Sequence, residues 1–233
     1  MPQKDAWERE YRNPQLIKTG EEPRTDLKKY IKFLRKVEGV FPEDLTILDI
    51  GSGNGKHANY LASMDNTVVG LEISTTAIKL ARFRAKEMGV AVDYQLADIG
   101  APYPFDNDYF DLVIDIMSSN SLNEKEREIY LNEVFRVLKK DGHFFVRALC
   151  KDGDKNAKNL LRLNPGLEYD TYINKDMSLT ERVFSHDDFI NLYSKYFEIQ
   201  KLIKKTNYAQ FKGQSYKRNY WLAYMKPIRP TFV

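Results

Sequence analysis

The segment Asp49-Ile50-Gly51-Ser52-Gly53-Asn54-Gly55-Lys56-His57 sets three glycines at alternating positions directly after the apolar run 45–50. Glycines there let the backbone turn sharply and approach a ligand without a Cβ in the way. Amides exposed at the start of the helix that follows favour a polar or negatively charged group. Glu72 ends a second apolar run, 21 residues after Gly51. A carboxylate at that place accepts hydrogen bonds from a ribose diol and repels a 2′-phosphate. Asp98 ends a third run, where it can accept from an adenine amino group. Glycine spacing alone is a weak signal. Three such features at three consecutive strand ends are stronger, because open parallel sheets bind their ligands there.

Positioning these groups requires alternating strands and helices, and the hydropathy pattern supplies them. Short apolar runs at 45–50, 67–71, 90–96, 109–116 and 143–149 read as strands, with amphipathic helices up to about 64, over 74–88 and over 123–138. Near-continuous apolar strands that alternate with helices imply an α/β, doubly wound, mostly parallel sheet with helices on both faces. Two closing strands, 197–203 and 220–225, are joined by too short a loop for a crossover helix and are expected to pair antiparallel. Residues 1–24 are polar and contain three prolines, which reads as an irregular N-terminal arm. Thr25 reads as the cap of a first helix carrying Leu27, Ile31, Leu34 and Val37. Residues 25–233 are expected to form one domain. Its polar segment 150–182 is too long for a plain connection and reads as a substrate-side insert. Ser185 and Asp188 resemble a capping box for a last helix running to Tyr196.

Composition narrows the class. The 233 residues are 42% hydrophobic and 30% charged, an ordinary globular balance that excludes disorder and low complexity. The 36 basic and 33 acidic residues leave a net charge of +3, too balanced to indicate a nucleic-acid binder by itself. A single cysteine, Cys150, cannot form an internal disulfide, and with three histidines it does not build a zinc site. The start has no apolar signal core and no run is long enough to span a membrane, so a soluble cytoplasmic protein is expected.

The stretch 45–149 resembles the class I, seven-stranded S-adenosylmethionine-dependent methyltransferases. The resemblance rests on the glycine loop with Asp49, on Leu71-Glu72-Ile73-Ser74, Ala97-Asp98 and Pro104-Phe105-Asp106, and on Phe110-Asp111-Leu112-Val113. Glu133-Val-Phe-Arg-Val-Leu138 before Asp141-Gly142 completes it. It implies a reversed last strand and S-adenosylmethionine as cofactor. By resemblance, Gly51, Ser52, Gly53 and Gly55 line the methionine and ribose part, and Asp49 supports the loop. Glu72 holds the ribose hydroxyls, Ile73 lies on the adenine face, and Asp98 with Ile99 meets the adenine. Asp115, at the end of the fourth strand, sits where the family offers a carbonyl to the cofactor's amino group. The segment around Lys56-His57 is most similar to branches acting on small molecules. The expected reaction is methyl transfer to an O, N or S nucleophile of a small molecule. A sulfonium methyl is already activated, so alignment of the nucleophile matters more than a catalytic triad.

Other candidates remain open. His57 either touches cofactor or substrate or is a structural cap. Trp7 and Tyr11 are spaced to share a helical face, as a lid or as packing on the sheet, and Met117 follows the fourth strand on the substrate side. His143 and Cys150 read as structural, and His186 as an exposed residue of a helix cap. Asp152, Asp154 and Asn156 with Asp115 suggest a magnesium site, but Gly153 fits a plain polar turn better, and no metal is expected. Tyr208 and Lys212 have a dehydrogenase-like spacing at a place in the fold that does not suit it. Residues 201–218 hold Lys201, Lys204, Lys205, Lys212, Lys217 and Arg218 among Tyr208, Phe211 and Tyr216. That pattern suits RNA, giving an RNA methyltransferase as the alternative, though a solvated hairpin loop is the favoured reading. A non-catalytic nucleotide-binding module is the remaining alternative.

Overall fold

The structure is a computed structural model that describes residues 3–15, 20, 22–211 and 213–228. The chain begins with α1 (Lys4–Arg12) and α2 (Thr25–Phe33), the latter extended by a π-helical turn, Leu34–Glu38. There follow β1 (Thr46–Ile50), α3 (Lys56–Ala62), β2 (Thr67–Glu72), α4 (Thr75–Met88), β3 (Asp93–Leu96) and β4 (Phe110–Ile116). Next come α5 (Glu124–Val137), β5 (Leu138–Leu149), α6 (Lys155–Leu163), β6 (Thr171–Asn174) and β7 (Leu179–Arg182). The chain closes with α7 (His186–Tyr193), β8 (Phe197–Phe211) and β9 (Gln214–Pro227).

Seven strands form one sheet in the order β3-β2-β1-β4-β5-β9-β8, while β6 and β7 pair separately. The first five are parallel to their neighbours. Only β9 runs the other way, inserted antiparallel between β5 and β8. Because side chains alternate along a strand, each face of the sheet builds its own core. Leu48, Ile50, Val113, Phe144 and Val146 pack with Tyr130 and Val134 of α5 and Phe189 of α7. Ile47, Leu112, Ile114 and Phe145 pack on the opposite face with Leu27 and Tyr30 of α2, Leu61 of α3 and Ala81 of α4. Local chemistry sets the helix starts. Ser74 Oγ accepts from Ala77 N at 3.1 Å, Asn123 and Glu126 form a reciprocal capping box, and Ser185 Oγ accepts from Asp188 N at 3.2 Å. Among the described residues no helix is long and apolar enough to cross a membrane.

Several sequence expectations need correction. Within the arm, Lys4–Arg12 form the helix α1 rather than irregular chain. Thr25 is the first residue of α2 rather than its cap; Arg24 holds that position in extended conformation, without a side-chain cap. The third strand starts at Asp93, since Gly89 ends α4 at φ 67° and Val90 N still bonds Ala85 O at 3.0 Å. The 150–182 insert is structured: Asp154 Oδ1 caps α6 through Ala157 N at 2.8 Å, and β6–β7 form a hairpin. The basic stretch is not a loop. Pairing of β8 with β9 continues out to Phe211 and Gln214, so the two strands form one long ribbon.

Candidate functional site

The glycine loop turns at the C-terminal end of β1, where Ser52 N reaches back to Leu71 O of β2 at 2.9 Å. Glu72, at the end of β2, braces the loop from below. Its Oε2 accepts from Gly53 N and its Oε1 from Ser74 N, both at 2.8 Å. Gly53 has φ +56°, and a Cβ there would lie 2.4 Å from Tyr11 Oη, so the close approach between loop and α1 exists only with glycine. A cavity of about 390 Å³ opens above these groups. Gly51, Ser52, Gly53, Glu72, Ile73, Asp98 and Ile99 line one end of it. The other end lies over the tips of β4 and β5, with Met117, Ser118, His57, Arg147 and Leu149. Met117 takes φ +77°, an unusual conformation for a side-chain-bearing residue and one that gathers at functional sites. Its amide is fixed to Arg147 O at 2.9 Å.

The strand ends concentrate negative charge. Burial raises the carboxyls of Asp49, Glu72 and Asp115, and the charges of Asp115 and Glu72 raise Asp49 further. Asp115 is offset by hydrogen bonds from Ser119, Tyr130 and Ser118; Tyr130 Oη donates at 2.7 Å and Ser118 N at 2.8 Å. Asp49 is only 1% exposed and its Oδ2 meets no protein partner. A carboxyl raised on folding binds protons more readily in the folded state. Stability therefore increases as pH falls through the folded value and levels off at the unfolded value near ~4. Replacing Asp49 with asparagine should flatten this slope and raise the melting temperature of the ligand-free protein at neutral pH, measured by scanning calorimetry from pH 5 to 8.

Helix α1 roofs the cavity with Gln3, Trp7 and Tyr11. It is pinned at its start and at its middle. Gln3 bridges to the β6–β7 hairpin, donating to Thr180 O at 2.9 Å and accepting from Thr180 N at 2.6 Å, and it also donates to Ser121 O. Glu8 sits over the start of α4, accepting from Ser74 Oγ at 2.7 Å and Thr76 Oγ1 at 2.6 Å. Burial pushes the Glu8 carboxyl up, but the bonds from Thr76 and Ser74 outweigh it and hold it at about 2.

Among the expected site residues, Gly51, Ser52, Gly53, Glu72, Ile73, Asp98, Ile99, Trp7, Tyr11, His57 and Met117 all line the cavity. Asp49, Gly55 and Asp115 do not. Gly55 instead packs α3 against α4, Asp49 lies under the loop, and Asp115 turns inward to anchor the residues after β4, leaving Ile116, Met117 and Ser118 as the wall. His57 is buried, and burial together with Lys56, Arg24 and Arg147 pushes its imidazole well below the usual range. It is thus neutral, with Nε2 unpartnered. Gln3, Arg24, Arg147, Glu181, Asn207 and Tyr220 also line the cavity without having stood out in the sequence, and Arg218 lines it rather than an open basic stretch. A signal existed for Arg147, the one charged residue in the apolar run 143–149.

The remaining candidates have structural partners. Asp154 Oδ2 accepts from Asn219 N at 2.8 Å and Arg218 Nε at 3.2 Å, and Asp152 Oδ2 from His186 N at 2.8 Å, while Asp115 is engaged by Ser118 N and Tyr130 Oη. Among the described residues no three His, Cys, Asp or Glu side chains gather as metal ligands. Cys150 is buried, and burial pushes its thiol up to about 12. His143 is buried on β5, and His186 is partly exposed. Lys205 pairs with Asp26, Lys201 lies over the Phe33 ring, and Tyr208 lines the cavity, while Lys212 lies outside the described residues.

Residues 42–210 match the family model described as a methyltransferase domain. The chain is 27% identical over 128 residues to a ubiquinone biosynthesis O-methyltransferase of Pelagibacter ubique, covering 54% of this chain and 50% of that one. It is 33% identical over 106 residues to a 2-heptyl-1-hydroxyquinolin-4(1H)-one methyltransferase of Mycobacteroides abscessus, covering 45% and 46%. The chain thus spans about half the length of these curated relatives. A crystal structure of an S-adenosylmethionine-dependent methyltransferase from Methanosarcina mazei shares the fold with a TM-score of 0.71. It is 21% identical and covers 83% of this chain and 97% of that one. The family match spans most of the chain and falls on this sheet order and this glycine loop, so the chain belongs to the class I, Rossmann-like S-adenosylmethionine-dependent methyltransferases.

Proposed function

We propose that the protein transfers the methyl group of S-adenosylmethionine to an O, N or S nucleophile on a small molecule. The observation that carries this reading is a single cavity with a nucleoside-type end and a second, roofed end. The residues fit the cofactor: the braced carboxylate of Glu72 and the Cβ-free backbone of Gly51 and Gly53 line the cavity, and the buried hydroxyl of Ser52 beside them has no protein partner. The cofactor supplies a sulfonium methyl that is already activated for transfer. The chain's part is to bind and align. Glu72 holds the ribose hydroxyls, Asp98 and Ile99 meet the adenine, and the backbone of Gly51 and Gly53 receives the methionine portion. The buried carboxylates of Asp49, Glu72 and Asp115 favour a cation above them. Helix α1 excludes water and confines the acceptor, and orientation of this kind supplies ~7–11 kcal/mol in favourable cases.

The roof also favours a small acceptor over RNA. The cavity volume is in the range of small-ligand sites, and Lys205 and Arg218 are engaged by Asp26 and Asp154 rather than aligned along an open surface. The names of the curated relatives point the same way. Incubation with methyl-labelled S-adenosylmethionine and fractionated cell extract should place label in the small-molecule fraction. Label confined to RNA or protein would overturn this reading.

A further inference from the structure

Arg147 lies at the end of β5, beside Ile116 of β4, and is 1% exposed. It lines the acceptor end of the cavity. Its Nε donates to Asp26 Oδ2 at 3.2 Å and its guanidinium stacks 3.5 Å over the Tyr220 ring. Nη1 and Nη2 are enclosed and make no hydrogen bond of good geometry, with Tyr220 as a polar neighbour of the guanidinium. The edge of a guanidinium carries two donors in a fixed fork, the geometry that a carboxylate matches with both oxygens.

The charge beside it is unbalanced in the same direction, since Glu181, the carboxylate at this end of the cavity, is engaged by Tyr172 Oη at 2.7 Å and lies in the field of Arg218. Asp26 is the carboxylate bonded to Arg147, and it also pairs with Lys205. Two cations therefore share one buried anion, and Arg24, which also lines the cavity, adds to the field that lowers Arg147 to about 10. Burial is the larger cause of that shift, yet the group stays charged at neutral pH. Unpaired buried donors and excess buried charge are costly, and a ligand anion relieves both. The neutral His57, with Nε2 unpartnered, lines the same end of the cavity and adds no opposing negative charge.

We propose that this end of the cavity recognises a carboxylate on the methyl acceptor, with the forked Nη1 and Nη2 of Arg147 as the anchor. The inference rests on the methyltransferase reading above and narrows its substrate class. The carboxylate is an anchoring group: pairing with a guanidinium draws electron density away from its oxygens, so the methylated atom is elsewhere on the acceptor. Tyr220, held beneath the guanidinium, fixes the plane in which the fork can be met.

Benzoate and its neutral isostere benzamide are suitable probes for protein saturated with S-adenosylhomocysteine, followed by ligand-observed NMR. Benzoate should bind at least about tenfold more tightly than benzamide, as expected for a charge-assisted bidentate pair. R147M should abolish that preference, and R147K, which keeps the charge near Asp26 but lacks the fork, should retain only part of it. Affinity for S-adenosylhomocysteine, measured alongside, reports that each variant is folded. Equal binding of benzoate and benzamide, no benzoate binding, or an undiminished preference in a folded R147M would overturn the proposal. Failure of the unaltered protein to bind S-adenosylhomocysteine would instead overturn the methyltransferase reading.

Discussion

Replacing Glu72 with alanine should weaken S-adenosylhomocysteine binding about 100-fold, a loss of about 2.7 kcal/mol, in line with removing hydrogen bonds to a charged acceptor. Two effects combine. In the proposed binding mode the ribose hydroxyls would lose their acceptor, and the glycine loop loses its brace, since Gly53 N and Ser74 N both donate to this carboxylate. Glu72 is 5% exposed, so water does not readily replace it. Glu72→Gln separates the two effects, because it keeps an acceptor oxygen but loses the charge, and it should fall between the parent and the alanine variant. Calorimetric titration of the three proteins checks this order. An alanine variant that binds as the parent does would place the ribose elsewhere.

Gly55→Ala should act on stability rather than on the ligand. Gly55 has φ +78°, and an added Cβ would lie 2.8 Å from Ala81 Cβ, 3.0 Å from Ala81 Cα and 2.3 Å from Tyr94 Oη. Tyr94 could yield only by giving up its 2.6 Å bond to Asn59, and the backbone of α4 would have to move as well. Left-handed strain of ~1–2 kcal/mol and overpacking of ~1–3 kcal/mol sum to a loss of about 3 kcal/mol. For a chain of this size that lowers the melting temperature by about 6–12 °C. Because Gly55 is not in the cavity wall, the variant that remains folded should bind S-adenosylhomocysteine within about twofold of the parent, well inside the tenfold that corresponds to 1.4 kcal/mol. A large loss of affinity with unchanged melting would return Gly55 to the ligand.

Hydrophobic patterning made the central sheet legible. The runs ending at Ile50, Glu72 and Ile116 are buried and sit where helix spacing put them, and the third strand, shorter and more exposed than expected, still leads to Asp98, so the glycine loop and its two acids were placed. Elements whose stability comes from distant partners were harder to read. Helix α1 is nine residues long in a polar segment and is held by Gln3 on Thr180 and Glu8 on Thr76, contacts that no local window contains. The β6–β7 hairpin and the outer half of the β8–β9 ribbon are polar strands ordered by backbone pairing, so they lack the apolar run that marks a core strand. The acceptor end of the site inherits this difficulty, because Glu181, Asn207 and Arg218 come from those elements. Arg147 was visible as a charge in an apolar strand, but its unpaired edge emerges only once Asp26 and Tyr220 are seen beside it.

The central claim is that one cavity, at the ends of β1, β2 and β3, holds S-adenosylmethionine. Its most direct test is a crystal structure with S-adenosylhomocysteine. The ribose hydroxyls should lie on Glu72, the adenine between Ile73 and Ile99 with its amino group toward Asp98, and the sulfur facing Met117 beneath α1. A ligand bound away from Glu72 and Asp98, or an intact crystal that takes up none at saturating concentration, would contradict the claim.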